Sequence, residues 1–277
     1  ANNSFINKNV ETNLKNNDSS KAKYITITKL NEFDSLLKEI SKIGFCAIDI
    51  ETDSLDIEKA NLVGISLCYN YNFAYYIPIN HKNFIDQKII DKQISEENVL
   101  KKIQSICSNP GILKIGQNIK YDIRVLNKYG IKFEAIADTM LMSYALDNGI
   151  TRHGMDDLAF MHFNYTTIKF KDMVGSGKKE ITFDYVNITE ATKYAAEDAL
   201  ITLKLFNFLQ QRLVKERCSY IYEKIDKPLI EVLSSMEKFG IKVDQKYLKK
   251  LSLEFQNESI KLEKKIFKIA NKSFNIG

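Results

Sequence analysis

The stretch FCAIDIETD, Phe45 to Asp53, decides how the rest of the chain is read. An extended backbone sends successive side chains to opposite faces. Phe45, Ala47, Asp49 and Glu51 therefore share one face, with Cys46, Ile48 and Ile50 on the other. The run is apolar on both faces, as in a buried strand, yet two carboxylates leave its end together. An ionised carboxylate is costly to bury unless a cation compensates it.

Two later segments repeat this conflict between acid and apolar context. Asp122 lies in NIKYDIRVL (Asn118 to Leu126), which reads as the opening turns of a helix with Asn118 near its N-cap. Tyr194 and Asp198 lie in YAAEDALITLKL (Tyr194 to Leu205), a helical segment by the spacing of Ala191, Ala195, Ala196, Ala199, Leu200 and Leu203. Four residues apart, they stack one turn apart on a single face. Taken singly, each has an ordinary explanation: a strand-end acid pair meets solvent, Asp122 pairs with Lys120 or Arg124, and the helix pair faces water. Together, four acids in three apolar contexts point to one shared divalent-cation site. Their hard oxygen donors favour magnesium or manganese over a thiolate-bound metal.

The order and wording of these segments resemble the 3′–5′ exonuclease (proofreading) domain of bacterial DNA polymerase I, a member of the DEDDy exonuclease group. DIETDSLD (Asp49 to Asp56) resembles the first motif, GQNIKYDIRVL (Gly116 to Leu126) the second, and YAAEDALITLKL the third, whose tyrosine separates this group from relatives with histidine. TRHGMDDLA (Thr151 to Ala159) and GSGKKEITF (Gly175 to Phe183) match the stretches between. The likeness runs from about Tyr24 to the end of the chain.

The resemblance implies an α/β fold like that of ribonuclease H, a mixed central sheet flanked by helices. It implies two divalent ions, one held by Asp49, Glu51 and Asp198 and a second by Asp49 and Asp122. Tyr194, helped by Glu51, would orient the attacking water, and nucleoside 5′-monophosphates would leave one at a time from a DNA 3′ end that is single-stranded or frayed. Leu55 resembles a residue that wedges against the terminal bases, and Phe183 one that stacks on a base; as residues alone, both equally suit a core. Asn118, Lys120, Tyr121 and Arg152 become candidates for phosphate or sugar contacts, with solvated surface charge the other reading for Lys120 and Arg152.

Composition is compatible with this reading. The formal charge of +5 over 277 residues is modest, so a nucleic-acid surface must be a local patch. Cys46, Cys68, Cys107 and Cys218 form no C-x-x-C pair and read as reduced thiols of a cytoplasmic protein. His81, His153 and His162 lack metal-ligand spacing. Gly175-Ser176-Gly177-Lys178 lacks the offset glycine and the hydroxyl residue of a phosphate loop. No run approaches about 18 apolar residues and no leader opens the chain, so a soluble, non-secreted protein without a membrane partner is expected; a monomer is expected as well.

Residues 1–23, rich in Asn, Lys and Ser, read as a disordered arm or linker. The exonuclease domain is expected over 24–217. Its strands are read at Tyr24–Thr28, Phe45–Ile50, Leu62–Tyr69, Phe73–Ile79 and Ile112–Ile115. Its helices are read at Glu32–Ile40, Glu96–Cys107, Asn118–Lys128, Thr139–Leu146, Met155–Met161 and Thr189–Lys215. A helical part over 218–277 follows, with helices at Ile221–Phe239 and Tyr247–Ala270. KPLIEVLSSMEKFGIKVD (Lys227 to Asp244) resembles the start of a polymerase domain, whose remainder would be a partner. The polymerase motifs are absent, so a fragment or naturally short form that makes no DNA is expected. Two alternatives stand beside this: an RNA-trimming exonuclease like ribonuclease D, and a catalytically silent spacer of a polymerase.

Overall fold

The computed structural model describes residues 22–150, 152–177 and 180–277. The expected arm therefore lies almost wholly outside the described residues, as do Thr151, Lys178 and Lys179. Six strands, β1 (Lys23–Thr26), β2 (Phe45–Thr52), β3 (Leu62–Cys68), β4 (Phe73–Pro78), β5 (Leu113–Gly116) and β6 (Ile136–Asp138), form one sheet in the order β1, β4, β3, β2, β5, β6. β3 runs antiparallel to its neighbours β2 and β4, whereas β1 pairs parallel with β4, β5 parallel with β2, and β6 parallel with β5. This is the mixed α/β sheet expected of a ribonuclease H-like fold.

The alternation in β2 divides the core into two layers. Cys46, Ile48 and Ile50 pack on one face with Phe33, Leu37 and Ile40 of α1 (Leu30–Ile43), Val99 and Ile103 of α2 (Glu96–Cys107), and Val125 and Leu126 of α3 (Lys120–Asn127). The other face places Ala47 against Ala196, Ala199, Leu200 and Leu203 of a 28-residue helix, Ile188–Lys215. Asp49 and Glu51 continue that second face, so they point toward this long helix. Its alanines let it lie close to the sheet, which brings its own acid within reach of theirs.

Three elements had no sequence expectation: β6, the short helix Phe170–Val174 and a 3-10 turn at Phe183–Tyr185. Each is only three to five residues long, too short for a periodicity to emerge. Asn118 stands next to the N-cap, as expected, with Ile119 in the cap position itself. The helix begins at Lys120, and Asn118 itself adopts a left-handed conformation (φ +59°). The amides of Asn118 and Ile119 donate to the carboxylate of Asp138, at 3.2 and 2.9 Å. A carboxylate distant in sequence ties down the turn before the helix, which local spacing cannot reveal.

The helices completing this unit are α4 (Thr139–Asp147), α5 (Met155–Phe163), α6 (Phe170–Val174) and α7 (Ile188–Lys215), followed by a helical segment from Ser219 whose turn at Tyr222–Asp226 is π-helical. This first compact unit extends to Ser234. The second unit, from Ser235 to Gly277, carries the end of α8 (Lys227–Phe239) and the 26-residue α9 (Gln245–Ala270), whose first turn is capped by Asp244 accepting from the Tyr247 amide at 3.0 Å. Among the described residues, no helix is long and apolar enough to cross a membrane.

Gly64 of β3 pairs with Glu51 in register. A Cβ there would lie 2.1 Å from the hydroxyl of the fully buried Tyr76, so the ring occupies the space that a side chain would take. Gly64→Ala should therefore destabilise the protein by about 1–3 kcal/mol through overpacking. The check is urea unfolding: the midpoint should fall with an unchanged slope, and an unaltered midpoint would contradict it.

Candidate metal centre

β2 delivers Asp49 and Glu51, and the third turn of α7 delivers Asp198. One ligand oxygen from each of these three lies within 4.8 Å of the other two. Glu51 and Asp198 are buried and Asp49 is half-buried. Asp122, on the first turn of α3, is also buried, and its Oδ1 accepts the backbone amide of Ile50 at 3.1 Å. That amide sits between the two acids of β2, so Asp122 is tied to the strand that bears them. The four sequence-identified acids therefore gather at the end of the central strand.

The electrostatics follow from burial and like charge. Burial pushes the Asp49 carboxyl up to about 7. Glu51 is pushed well above the usual range by burial and then by Asp49, Asp198 and Asp122. Burial and the Asp49 charge raise Asp122, opposed by backbone amides that donate to it. Asp198 is raised by burial and Asp49, opposed by the Tyr194 hydroxyl. Neutral donors alone do not compensate this much buried carboxylate, so without a cation the centre retains protons. Closely spaced oxygens with raised affinity for a proton are also suited to a hard divalent ion, and the donor set fits such an ion.

Tyr194 is half-buried one turn before Asp198 and within hydrogen-bonding reach of its carboxylate. Burial, then Asp198, Glu51 and Asp49, hold its phenol well above the ordinary tyrosine range, so it keeps its proton. Behind it lies Phe183, 1% exposed, with its ring centroid 5.8 Å from that of Tyr194. Phe183 thus presents almost no ring surface to a base. Phe170 does: it is 42% exposed, stacks on Phe183 at 6.1 Å and 9°, and meets the Tyr194 ring at 6.1 Å. The sequence reading passed over Phe170. Its signal was an aromatic ring flanked by lysines in IKFKD, where no apolar stripe accounts for it.

The remaining candidates are dispersed. Leu55 is 86% exposed on the loop after β2. The Tyr121 hydroxyl lies 2.6 Å from Thr52 Oγ1 and 2.9 Å from the Ser54 carbonyl, bracing that loop. Lys120 is half-buried at the start of α3, while Asn118 and Arg152 are exposed.

A family model described as 3′-5′ exonuclease matches residues 24–214. The chain belongs to this family. A DNA polymerase I of Rhizobium leguminosarum is 40% identical over 267 residues, covering 92% of this chain and 26% of the relative. The DNA polymerase I of Pseudomonas aeruginosa is 36% identical over 249 residues, 88% of this chain and 27% of that protein. The chain thus spans about a quarter of the length of these relatives. Among solved structures, the POL domain of Pol1 from M. smegmatis, in complex with DNA primer-template and dNTP, is similar with a TM-score of 0.64 at 18% identity, over 91% of this chain and 38% of that one. Brucella melitensis NrnC with bound Mg2+ is similar with a TM-score of 0.55 at 20% identity, over 73% of this chain and 89% of that one. Exonucleases of the family are metal-dependent, and the chain carries a matching acidic cluster.

The raised carboxyl groups fix the sign of a pH dependence. In the unfolded chain these acids ionise near pH 4. The metal-free folded state therefore binds more protons than the unfolded state, and stability complete below about pH 4 is lost as pH rises through the folded value, about 7 for Asp49. His81, whose pKa burial lowers to about 4, acts in the opposite direction only at lower pH. Between pH 7 and 8.5 the melting temperature of the metal-free protein should fall, and manganese should restore more of it at pH 8.5 than at pH 7. Calorimetry in buffers of different ionisation enthalpy should show protons released as manganese binds; no release would contradict the assignment.

Proposed function

We propose that this chain is the proofreading portion of a DNA polymerase I, removing nucleotides from single-stranded or frayed DNA 3′ ends with two divalent ions, magnesium or manganese. Convergence of Asp49, Glu51 and Asp198 on one point, from a strand and a helix far apart in sequence, carries this reading. Asp49, Glu51 and Asp198 would hold one ion, and Asp49 with Asp122 the other. Such a pair, when bound, supplies hydroxide near neutral pH and charge compensation for both the attacking and the leaving oxygen.

The side chains then have separable tasks. Tyr194 keeps its proton and acts as a hydrogen-bond donor that orients water; it is no nucleophile. Glu51 lies on the same side and accepts from that water. Phe170 offers an open ring beside Tyr194 on which a terminal base stacks irrespective of its identity, with Phe183 fixing its tilt from behind. Leu55, exposed past the first motif, would wedge between bases. Asn118, Lys120, Tyr121 and Arg152 remain candidates for backbone positioning of the strand. The 218–277 part would lead into the polymerase domain, the partner that delivers the primer terminus.

The decisive experiment incubates 5′-labelled single-stranded DNA and matched RNA with the protein and magnesium, with and without chelator. A ladder shortening from the 3′ side of DNA, only with metal, supports the reading; faster digestion of RNA would favour a ribonuclease D-like enzyme. Asp198→Ala should lower the rate roughly a thousandfold or more while raising metal-free stability, because one buried like charge is removed. Tyr194→Phe should cost about tenfold, the equivalent of one lost orienting hydrogen bond. Near-parental digestion by Asp198→Ala would overturn the site.

A further inference from the structure

Tyr222 lies beyond residues 24–214, the segment that matches the exonuclease family, yet it is 1% exposed and packed in the α7-side core layer. Its hydroxyl oxygen accepts the backbone amide of Asp138 at 2.9 Å. Asp138 pairs with Gly116 across β5 and β6, and its carboxylate accepts four backbone amides. Two are those of Asn118 and Ile119, in the turn entering α3; the others, Met140 at 2.8 Å and Leu141 at 3.2 Å, open α4. One carboxylate therefore straps together two helix starts.

The strapped turn is under tight steric control. A Cβ on Gly116 would meet Ile119 Cβ at 2.7 Å, and Asn118 holds a left-handed φ of +59°. Asparagine tolerates that conformation better than other side chains, so the residue suits the turn that Asp138 holds. Two residues after Lys120, the same helix presents Asp122 to the Ile50 amide. Hydrogen bonds thus lead from the π-helical turn that Tyr222 opens, through Asp138, to the amides of Asn118 and Ile119, and the helix that starts there carries Asp122.

We propose that Tyr222 is a positioning residue for Asp122: by holding the Asp138 backbone it fixes the turn that aims α3, and thereby the second cation position. This rests on Asp122 being a metal ligand. The π-helical turn, which interrupts the regular helical ladder at Tyr222–Asp226, makes the position of this tyrosine sensitive to the helix that continues from it.

The test compares the full chain with Tyr222→Phe, which keeps the ring and removes only the hydroxyl, and with Asp122→Ala as reference. In metal-free Tyr222→Phe, amide hydrogen exchange should quicken about fivefold in peptides spanning 117–123 but not in those from β2 and β3, the equivalent of one lost hydrogen bond. Manganese affinity should weaken by a similar factor, and kcat on a short single strand should fall with KM unchanged. Exchange that quickens uniformly, or unchanged manganese affinity and kcat, would make Tyr222 merely structural and overturn the inference. If Tyr222→Phe proves too unstable to assay, Asp138→Asn, which retains the shape but weakens the strap, should reproduce the same local pattern; a parental pattern there would overturn it equally. Parental manganese binding and activity in Asp122→Ala would instead sink the site assignment itself.

Discussion

Repulsion among buried carboxylates is the constraint on which the rest of this structure depends. Glu51, Asp122 and Asp198 are buried beside the half-buried Asp49, and burial and mutual charge drive their proton affinities upward. Folding tolerates this because the surrounding layers are well packed and because neutral donors, the Ile50 amide and the Tyr194 hydroxyl, satisfy part of the oxygen lone pairs. The remaining deficit is what makes the centre receptive to cations. A site with every charge already paired would be more stable and chemically idle.

The supporting architecture keeps those oxygens together against their repulsion. The two acids of β2 are separated by a single residue, whose amide engages the third acid. The fourth comes from a 28-residue helix anchored to the sheet by alanine and leucine on one face. Tyr76 fills the space over Gly64 and hydrogen-bonds His81 at 2.7 Å, while His81 Nδ1 lies 2.9 Å from the Val186 carbonyl. Since a carbonyl only accepts, Nδ1 carries the proton and the Tyr76 hydroxyl donates to Nε2. The floor of the site is thus neutral and fully hydrogen-bonded.

How much of this was legible in the sequence depended on the range of the interaction concerned. Alternation in FCAIDIE correctly assigned both faces of β2, and four-residue spacing placed Tyr194 and Asp198 on one helix face, because both are local geometry. Asn118 next to the N-cap was legible too, but not that its amide donates to Asp138, 20 residues away. Phe183 and Phe170 lie 13 residues apart, and only their stacking shows which is covered and which is open. Tyr222, likewise, gives no sign in its own neighbourhood that its hydroxyl reaches β6.

The ladder between β2 and β3 shifts register between Glu51 and Thr52. Up to Glu51 each residue has a fixed opposite number, from Ala47↔Cys68 to Glu51↔Gly64. Past the shift the backbone departs into the loop of Ser54 and exposed Leu55, which Tyr121 steadies through its hydroxyl. The irregularity works as a mechanical break: insertions or substitutions downstream can reshape the loop of Ser54 and Leu55 without propagating into the spacing of Asp49 and Glu51.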